Sequence, residues 1–231
     1  MKKILEINNL LFRWNKNDDF YLKIKNFSIE KNKKIVLFGK SGVGKSTLLN
    51  LISGILEPES GSIKINNTIV NKLSQTKKDN FRANNIGVIF QQFNILDYIS
   101  PQKNILLPCY FTGFKKEDSN FFYERAHSLA EKLNLNKKIL TQEKSKELSV
   151  GQIQRISIIR SIINKPKLIL ADEPTSALDN INKKKFLDML FNICNIEKIT
   201  ILMVSHDTSL RKNFDTTLHL EEILKKNENI I

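Results

Sequence analysis

Residues 39–47 read Gly-Lys-Ser-Gly-Val-Gly-Lys-Ser-Thr, which matches the phosphate-binding pattern Gly-x4-Gly-Lys-Ser. A short apolar run from Ile35 to Phe38 precedes this stretch, and leucines with helical spacing follow it as far as Gly54. A strand, a glycine-rich turn and a helix in this order form the structural context that the pattern requires. The stretch therefore predicts an α/β fold with a phosphate loop between a strand and a helix.

The loop has the chemistry that a nucleoside triphosphate needs. Its glycines let successive backbone N–H groups curl around phosphate oxygens, and the following helix N-terminus adds positive potential. Lys45 supplies a charge to the β- and γ-phosphates, and the Ser46 hydroxyl can ligate Mg²⁺. The predicted nucleotide contacts are Gly39, Lys40, Ser41, Gly42, Val43, Gly44, Lys45, Ser46 and Thr47.

A second apolar run, at residues 168–171, ends in the acids Asp172 and Glu173. A carboxylate at the carboxyl end of a strand beside a phosphate loop suits Mg²⁺ held through water, and we assign this role to Asp172. Glu173 then lies one residue nearer the γ-phosphate, where it can orient an attacking water. Two acids after a strand would alone indicate a helix start or a solvated turn, and the phosphate loop favours the functional interpretation.

The remaining pattern predicts one α/β domain over residues 1–231. Strand-like stretches come first, the segment from about 95 to 165 is mainly helical, and strand character returns in the last third. The polar residues 220–231 are expected to form a frayed end. The predicted strands cover residues 3–12, 21–29, 34–38, 62–66, 86–90, 168–171 and 199–204.

Composition and length narrow the class of protein. A chain of 231 residues with 41% hydrophobic and 26% charged residues suits one domain with an inserted subdomain, and it excludes a disordered polymer. The sequence contains no run of eighteen apolar residues, and Glu6 interrupts the core that a signal peptide would need. Cys109 and Cys194 lie far apart without metal or redox spacing. We therefore expect a reduced, cytoplasmic protein.

The formal net charge of +13 has two interpretations. The chain contains 31 Lys against six Arg, together with 26 Asn and 31 Ile, and these are residues that AT-rich codons favour. Nucleic-acid surfaces usually cluster their charge and rely on Arg, whereas these lysines are scattered. The composition thus argues against a nucleic-acid partner and is more compatible with the anionic inner face of a membrane.

Residues 148–152 read Leu-Ser-Val-Gly-Gln and resemble the signature of ATP-binding cassette (ABC) ATPases, which is usually Leu-Ser-Gly-Gly-Gln. Without this resemblance, Ser149 would be interpreted as the N-cap of an apolar helix. The resemblance implies that Ser149, Gly151 and Gln152 contact a nucleotide. Val150 departs from the pattern, so either the backbone has ordinary angles there or the site is strained.

The resemblance covers nearly the whole chain, and further elements follow in the expected order. Trp14 resembles the aromatic residue that stacks on adenine, although Phe12 and Tyr21 are alternatives. Gln91 resembles the glutamine that contacts Mg²⁺, senses the γ-phosphate and couples to a membrane partner.

Two later residues extend the same resemblance. Asp179, at the end of Ser-Ala-Leu-Asp, resembles the aspartate that contacts the opposite subunit. His206, in Val-Ser-His-Asp, resembles the histidine that hydrogen-bonds the γ-phosphate. With Glu173 and Lys45, His206 completes the predicted catalytic set.

Together these motifs imply an ATP-hydrolysing subunit of an ABC transporter. The implied fold is a phosphate-loop core with an antiparallel β subdomain and an inserted helical subdomain at about 95–165 that carries the signature. The implied assembly is a homodimer that closes head-to-tail on ATP and Mg²⁺. A separate integral-membrane permease would dock near Gln91 and the helical insert, which would hold the protein at the inner face of the cell membrane.

Residues 86–96 and 104–108 resemble the lipoprotein-releasing and macrolide-export group within this family. A cell-division ATPase of the same group is the nearest alternative. A chromosome-maintenance or repair ATPase would need a long coiled-coil insert, and no sustained heptads occur here. A ribosome-bound translation factor of this class usually has two cassettes in one chain, and this chain has one.

Overall fold

The computed structural model describes residues 2–15, 20–113, 119–141 and 144–225. The strands are β1 (Lys3–Arg13), β2 (Tyr21–Glu30), β3 (Lys34–Phe38), β4 (Ser60–Ile65), β5 (Thr68–Ile69), β6 (Ile86–Ile89), β7 (Leu168–Asp172), β8 (Thr200–Ser205) and β9 (Thr216–His219). The α-helices are α1 (Lys45–Ile52), α2 (Gln75–Asn85), α3 (Pro101–Leu106), α4 (Ser119–Lys132), α5 (Lys137–Leu140), α6 (Val150–Ile162), α7 (Asn180–Glu197) and α8 (Leu220–Lys225). Short 3₁₀ helices cover Val70–Lys72, Leu107–Phe111 and Thr208–Asn213.

The strands form two sheets of different kinds. Four antiparallel strands have the order β2-β1-β4-β5, and five parallel strands have the order β6-β7-β8-β3-β9. Strand β8 is buried along its whole length, as expected for a parallel strand covered on both faces. Strand β2 begins with alternating exposed and buried residues, so one of its faces meets solvent.

The register of the parallel sheet positions the site. Phe38 pairs with Ser205, and Asp172 pairs with Val204, so the carboxyl ends of β3, β7 and β8 meet at one edge. The residues that follow these strands therefore leave the sheet side by side. In open α/β sheets ligands bind outside the carboxyl ends of the strands.

The chain between β6 and β7 contains helices α3 to α6 and a 3₁₀ helix. Buried residues of α4 and α6 pack together in one hydrophobic cluster, which also includes Phe93 and Phe186. The segment predicted to be mainly helical thus contains helices, and its description as a separate subdomain stays a prediction. Within the described ranges, no helix is long and apolar enough to cross a membrane.

Helix α2 was absent from the predicted pattern. Its sequence is strongly polar, and only Lys78 is buried, so it lacks the apolar periodicity that reveals an amphipathic helix. Long-range contacts hold it instead: Lys78 pairs with Glu57, and Arg82 donates a hydrogen bond to the Ser53 carbonyl at 3.2 Å.

The prediction of a frayed end from residue 220 is wrong for the part that the structure describes. Residues 220–225 form α8, in which Leu220 is fully buried and Ile223 and Leu224 pack against the core. These three residues share one face because they are spaced three and four positions apart. Residues 226–231 lie outside the described part of the chain.

Candidate functional site

A cleft of about 390 Å³ opens at the carboxyl edge of the parallel sheet. It gathers residues that are far apart in the sequence, from the phosphate loop, the loop after β6 and the ends of β7 and β8. The lining residues are Ser41, Gly42, Gly44, Lys45, Ser46, Thr47, Gln91, Asp172, Glu173 and His206.

The phosphate loop is shaped by two glycines with positive φ. Gly42 has φ 79° and Gly44 has φ 103°, a region that residues with a Cβ rarely occupy, and α1 begins directly after Gly44. A Cβ on Gly44 would also lie 2.9 Å from the ring of Phe20, so the start of β2 packs against the loop. Buried Lys45 folds back over the loop and donates hydrogen bonds from Nζ to the carbonyl oxygens of Gly39 and Lys40, at 2.8 and 3.1 Å.

Glu173, the predicted catalytic carboxylate, lies between two cleft residues. Its Oε1 is 3.4 Å from Nζ of Lys45, and its Oε2 is 2.5 Å from Nδ1 of His206. Its backbone has φ 46° and is held by a hydrogen bond from its N–H to the Val204 carbonyl at 3.1 Å. The left-handed conformation costs roughly 1–2 kcal/mol for a residue with a Cβ. Strain of this kind is concentrated at functional sites.

Asp172 has the environment of a hard-cation ligand. Burial raises the pKa of this carboxyl, nearby Glu173 adds to the rise, and a hydrogen bond from the Ser46 hydroxyl and the charge of Lys45 oppose it. The Ser46 and Asp172 oxygens are thus adjacent. Mg²⁺ prefers oxygen ligands and usually needs only one or two carboxylates, so these residues fit that ion.

The loop that carries His206 is fixed by its neighbour Asp207. Oδ1 of Asp207 accepts hydrogen bonds from the backbone N–H and hydroxyl of Ser209, at 3.0 and 2.6 Å, and its Oδ2 pairs with Lys183. These bonds, chiefly the one from Lys183, lower the pKa of Asp207 to about 2. His206 is exposed and directly follows β8.

The signature residues do not line the cleft of their own chain. Ser149 caps α6: its hydroxyl accepts from the Gln152 N–H at 3.4 Å, and the Gln152 side chain accepts from the Ser149 N–H at 2.8 Å. Val150 is the first residue of α6 and has a negative φ, so the valine is accommodated without the strain considered above. Gly151 lies in the first turn of the same helix.

Asp179 also acts as a helix cap within its own chain. Its Oδ1 accepts from the N–H groups of Ile181 and Asn182 at 2.9 Å, and its Oδ2 accepts from the Asn182 side chain at 2.6 Å. These hydrogen bonds, with that from the Asn182 backbone the largest cause, lower the pKa of Asp179. Its predicted contact with an opposite subunit stays a prediction.

The three aromatic candidates for adenine stacking differ in exposure. Phe12 is 5% exposed and belongs to the core, which removes its ring from contact with a ligand. Trp14 and Tyr21 are 55% and 45% exposed, and the Trp14 ring meets Phe12 edge-on at 5.2 Å. Trp14 follows β1 and Tyr21 begins β2, so both lie close in sequence to residues near the loop, of which Phe20 contacts Gly44.

The sequence reasoning missed Glu221, which contacts the phosphate loop from α8. Its Oε1 accepts a hydrogen bond from the backbone N–H of Lys40 at 2.8 Å. Burial alone would raise the pKa of Glu221, but this hydrogen bond, with smaller contributions that include the charge of Lys45, lowers it. The only sequence signal was a pair of acids before Ile223 and Leu224, and this pattern alone is typical of a solvated helix start.

We expect Glu221→Ala to raise the KM for ATP by about three- to tenfold, because the loss of a hydrogen bond to a charged group frees the start of the loop. Glu221→Gln keeps an acceptor and should stay within about twofold of the wild type. Steady-state ATPase kinetics measure both effects. Glu222→Ala changes the neighbouring acid and is the matched control, and an equal effect of Glu222→Ala would contradict the assignment.

The ABC transporter family model matches residues 22–176. The lipoprotein-releasing system ATP-binding protein LolD of Wigglesworthia glossinidia brevipalpis is 38% identical, over 94% of this chain and 93% of its own. The chain belongs to the ABC transporter family. The macrolide export ATP-binding/permease protein MacB of Mannheimia succiniciproducens is 34% identical over 95% of this chain but only 33% of its own length. This ATPase thus corresponds to one third of MacB.

Among solved structures, the ATPase resembles the ATP-binding cassette MJ0796, described as a dimer in a post-hydrolysis state bound to ADP and Pi. The TM-score is 0.76 at 27% identity, over 94% of each chain. The predictions of the family, of its fold and of ATP binding and hydrolysis are therefore confirmed. The roles of individual site residues stay predictions.

Proposed function

We propose that this ATPase works as a head-to-tail homodimer that powers a separate integral-membrane permease from the inner face of the cell membrane. The observation that carries the proposal is an open apolar groove whose lining includes residues of β6 and Phe90, which directly precedes Gln91. The dimeric relative MJ0796 supports the homodimer, and the fused ATP-binding and permease protein MacB supports the permease.

In the proposed mechanism the phosphate loop and Lys45 bind the ATP phosphates. Glu173 holds the attacking water and accepts a proton from it. His206 lies beside Glu173 and orients that carboxylate, so the two act as a unit. Ser46, Asp172 and Gln91 are the residues that would hold Mg²⁺. The ion would supply charge neutralisation at the β- and γ-phosphates.

The second half of each site comes from the other copy in this proposal. Ser149 and Gly151 lie at the exposed N-terminus of α6, outside their own cleft, and such a helix end is suited to an anion. A γ-phosphate that contacts both copies favours the closed dimer, and its loss after hydrolysis removes that preference. The cycle of closing and opening would move the permease.

The proposed permease contact is the groove between α2 and β6 on one side and the 3₁₀ helix at Leu107–Phe111 on the other. Its lining is mostly apolar, and the large side chains Ile55, Phe90 and Phe111 are 53%, 37% and 61% exposed. Exposed apolar grooves with few charged residues are typical of protein interfaces, and the charged residues that line this groove are Asp79, Arg82 and Arg160. We therefore expect an apolar helix end of the permease to insert here.

Phe111→Ser should reduce recovery of the ATPase with membranes that contain its co-expressed permease by roughly tenfold, since a large exposed anchor is lost. The permease for this test is to be sought in the neighbouring reading frames. Phe121→Ser is the matched control because Phe121 is 52% exposed and lies outside the groove. Equal recovery of the two variants, with unchanged ATP affinity, would show that the groove is not the permease contact.

For the cargo, the similarity to LolD favours lipoprotein release, and the similarity to MacB favours macrolide export. Cargo contacts would lie in the permease. A four-helix permease with a large extracytoplasmic domain, encoded beside this ATPase, would support either assignment. Release of radiolabelled lipoprotein from proteoliposomes that contain both subunits would distinguish the two cargo assignments.

A further inference from the structure

Arg160, near the end of α6, carries a buried charge without a carboxylate partner among the described residues. Its side chain is 9% exposed, and burial lowers the pKa of its guanidinium to about 10, so the group stays protonated. Buried charges are costly unless they are paired, and an uncompensated one is expected only where it has a specific task. Arg125, which contacts the same helix, has the usual arrangement and pairs with Glu197 at 3.0 Å.

Two nitrogens of the Arg160 guanidinium donate hydrogen bonds to the backbone that follows Gln91. Nη1 donates to the Asn94 carbonyl at 2.7 Å, and Nη2 donates to the Phe93 carbonyl. Both residues have left-handed backbones, with φ 59° for Phe93 and 47° for Asn94. Two successive strained residues persist only when their surroundings hold them, and the planar fork of Arg can bind both carbonyls at once.

The segment after Asn94 is also anchored. The buried amide of Asn104 accepts from the Leu96 N–H and donates to the Leu96 carbonyl, both at 2.8 Å, and also donates to Ser145 Oγ at 3.0 Å. Gln91 is exposed at the cleft and makes no side-chain hydrogen bond within the described ranges. How far Gln91 extends into the cleft is therefore set by the fixed turn that begins at Phe93.

We propose that Arg160 is a positioning residue that sets the approach of Gln91 to the nucleotide. The inference rests on the proposed role of Gln91 in sensing the γ-phosphate and Mg²⁺. Ser149 caps the helix that contains Arg160, and the two residues are about 16.5 Å apart along its axis at 1.5 Å per residue. Arg160 and Phe90 both line the apolar groove. Helix α6 and the turn that Arg160 holds would therefore link the bound permease to Gln91 and to the signature.

A double-mutant cycle tests the proposal. The free energy of unfolding of each variant is measured in parallel, without nucleotide. Arg160→Met should lower kcat by roughly tenfold in the wild type, because the loop that carries Gln91 loses its anchor. In the Gln91→Ala background the same change should lower kcat by less than about twofold, since the residue being positioned is already absent. Arg160→Lys keeps the charge and one donor nitrogen but lacks the planar fork, and it should restore part of kcat.

Arg125→Met is the matched control, because Arg125 also donates to two backbone carbonyls at the end of α6, those of Ile162 and Ile163. It should affect kcat equally in both backgrounds. Should Arg160→Met fail to fold, Arg160→Lys replaces it in the cycle. Equal losses from the Arg160 variant in both backgrounds would overturn this inference alone. An unchanged kcat in Gln91→Ala would overturn the proposed role of Gln91 and, with it, the positioning role of Arg160.

Discussion

Glu173→Gln is expected to retain ATP binding and to lose about 10²-fold or more of its turnover, the range typical of a positioned general base. Glutamine has nearly the shape of glutamate, so the left-handed backbone and the contact with Lys45 can persist. The amide cannot take a proton from water as the carboxylate does. Single-turnover ATPase assays and calorimetric ATP titration measure the two effects separately.

The same variant should accumulate as an ATP-bound dimer in sizing chromatography, because the closed state no longer decays by hydrolysis. Glu222→Gln removes an acid of the same type from α8 and should hydrolyse ATP normally. Near wild-type turnover in Glu173→Gln would mean that another group is the base. His206 would then be the next candidate, since its Nδ1 lies beside the same carboxylate.

The local patterns of the sequence predict the strand, loop and helix around Lys45 because each has a short-range physical cause. Apolar runs mark buried strands, glycines mark the positive φ of the loop, and the acids at the end of β7 mark the sheet edge. The register that brings Asp172 and His206 to one cleft also follows from parallel pairing. These features need no knowledge of distant contacts.

The features that sequence reasoning missed depend on distant contacts. Glu221 contacts Lys40 across 181 positions in the sequence, and Arg160 contacts Phe93 across 67 positions. Neither contact therefore produces a periodic pattern in the sequence. The left-handed backbone of Glu173 is held by a carbonyl of β8, and no turn residue signals it. Helix α2 was missed because tertiary contacts rather than an apolar face hold it.

The second large effect is expected at Ser149 and tests the proposal that the active site is shared between two copies. If this serine meets the nucleotide of the opposite copy, each chain alone has only half of each site. ATPase activity should then rise more steeply than linearly with protein concentration while dimers are scarce. Ser149→Arg would place a bulky charged side chain at the exposed start of α6, where the opposing phosphate must sit, and would block closure.

Ser149→Arg should therefore bind ATP as the wild type does, because the phosphate loop of the same chain is untouched, and its hydrolysis should fall to background at every concentration. The substitution also removes the N-cap of α6, which costs about 1 kcal/mol of stability. Ser149→Ala removes the same cap without adding bulk, so any difference between the two variants reports on the space in front of the helix. Normal hydrolysis by Ser149→Arg at all protein concentrations would mean that α6 does not face a nucleotide in a head-to-tail dimer.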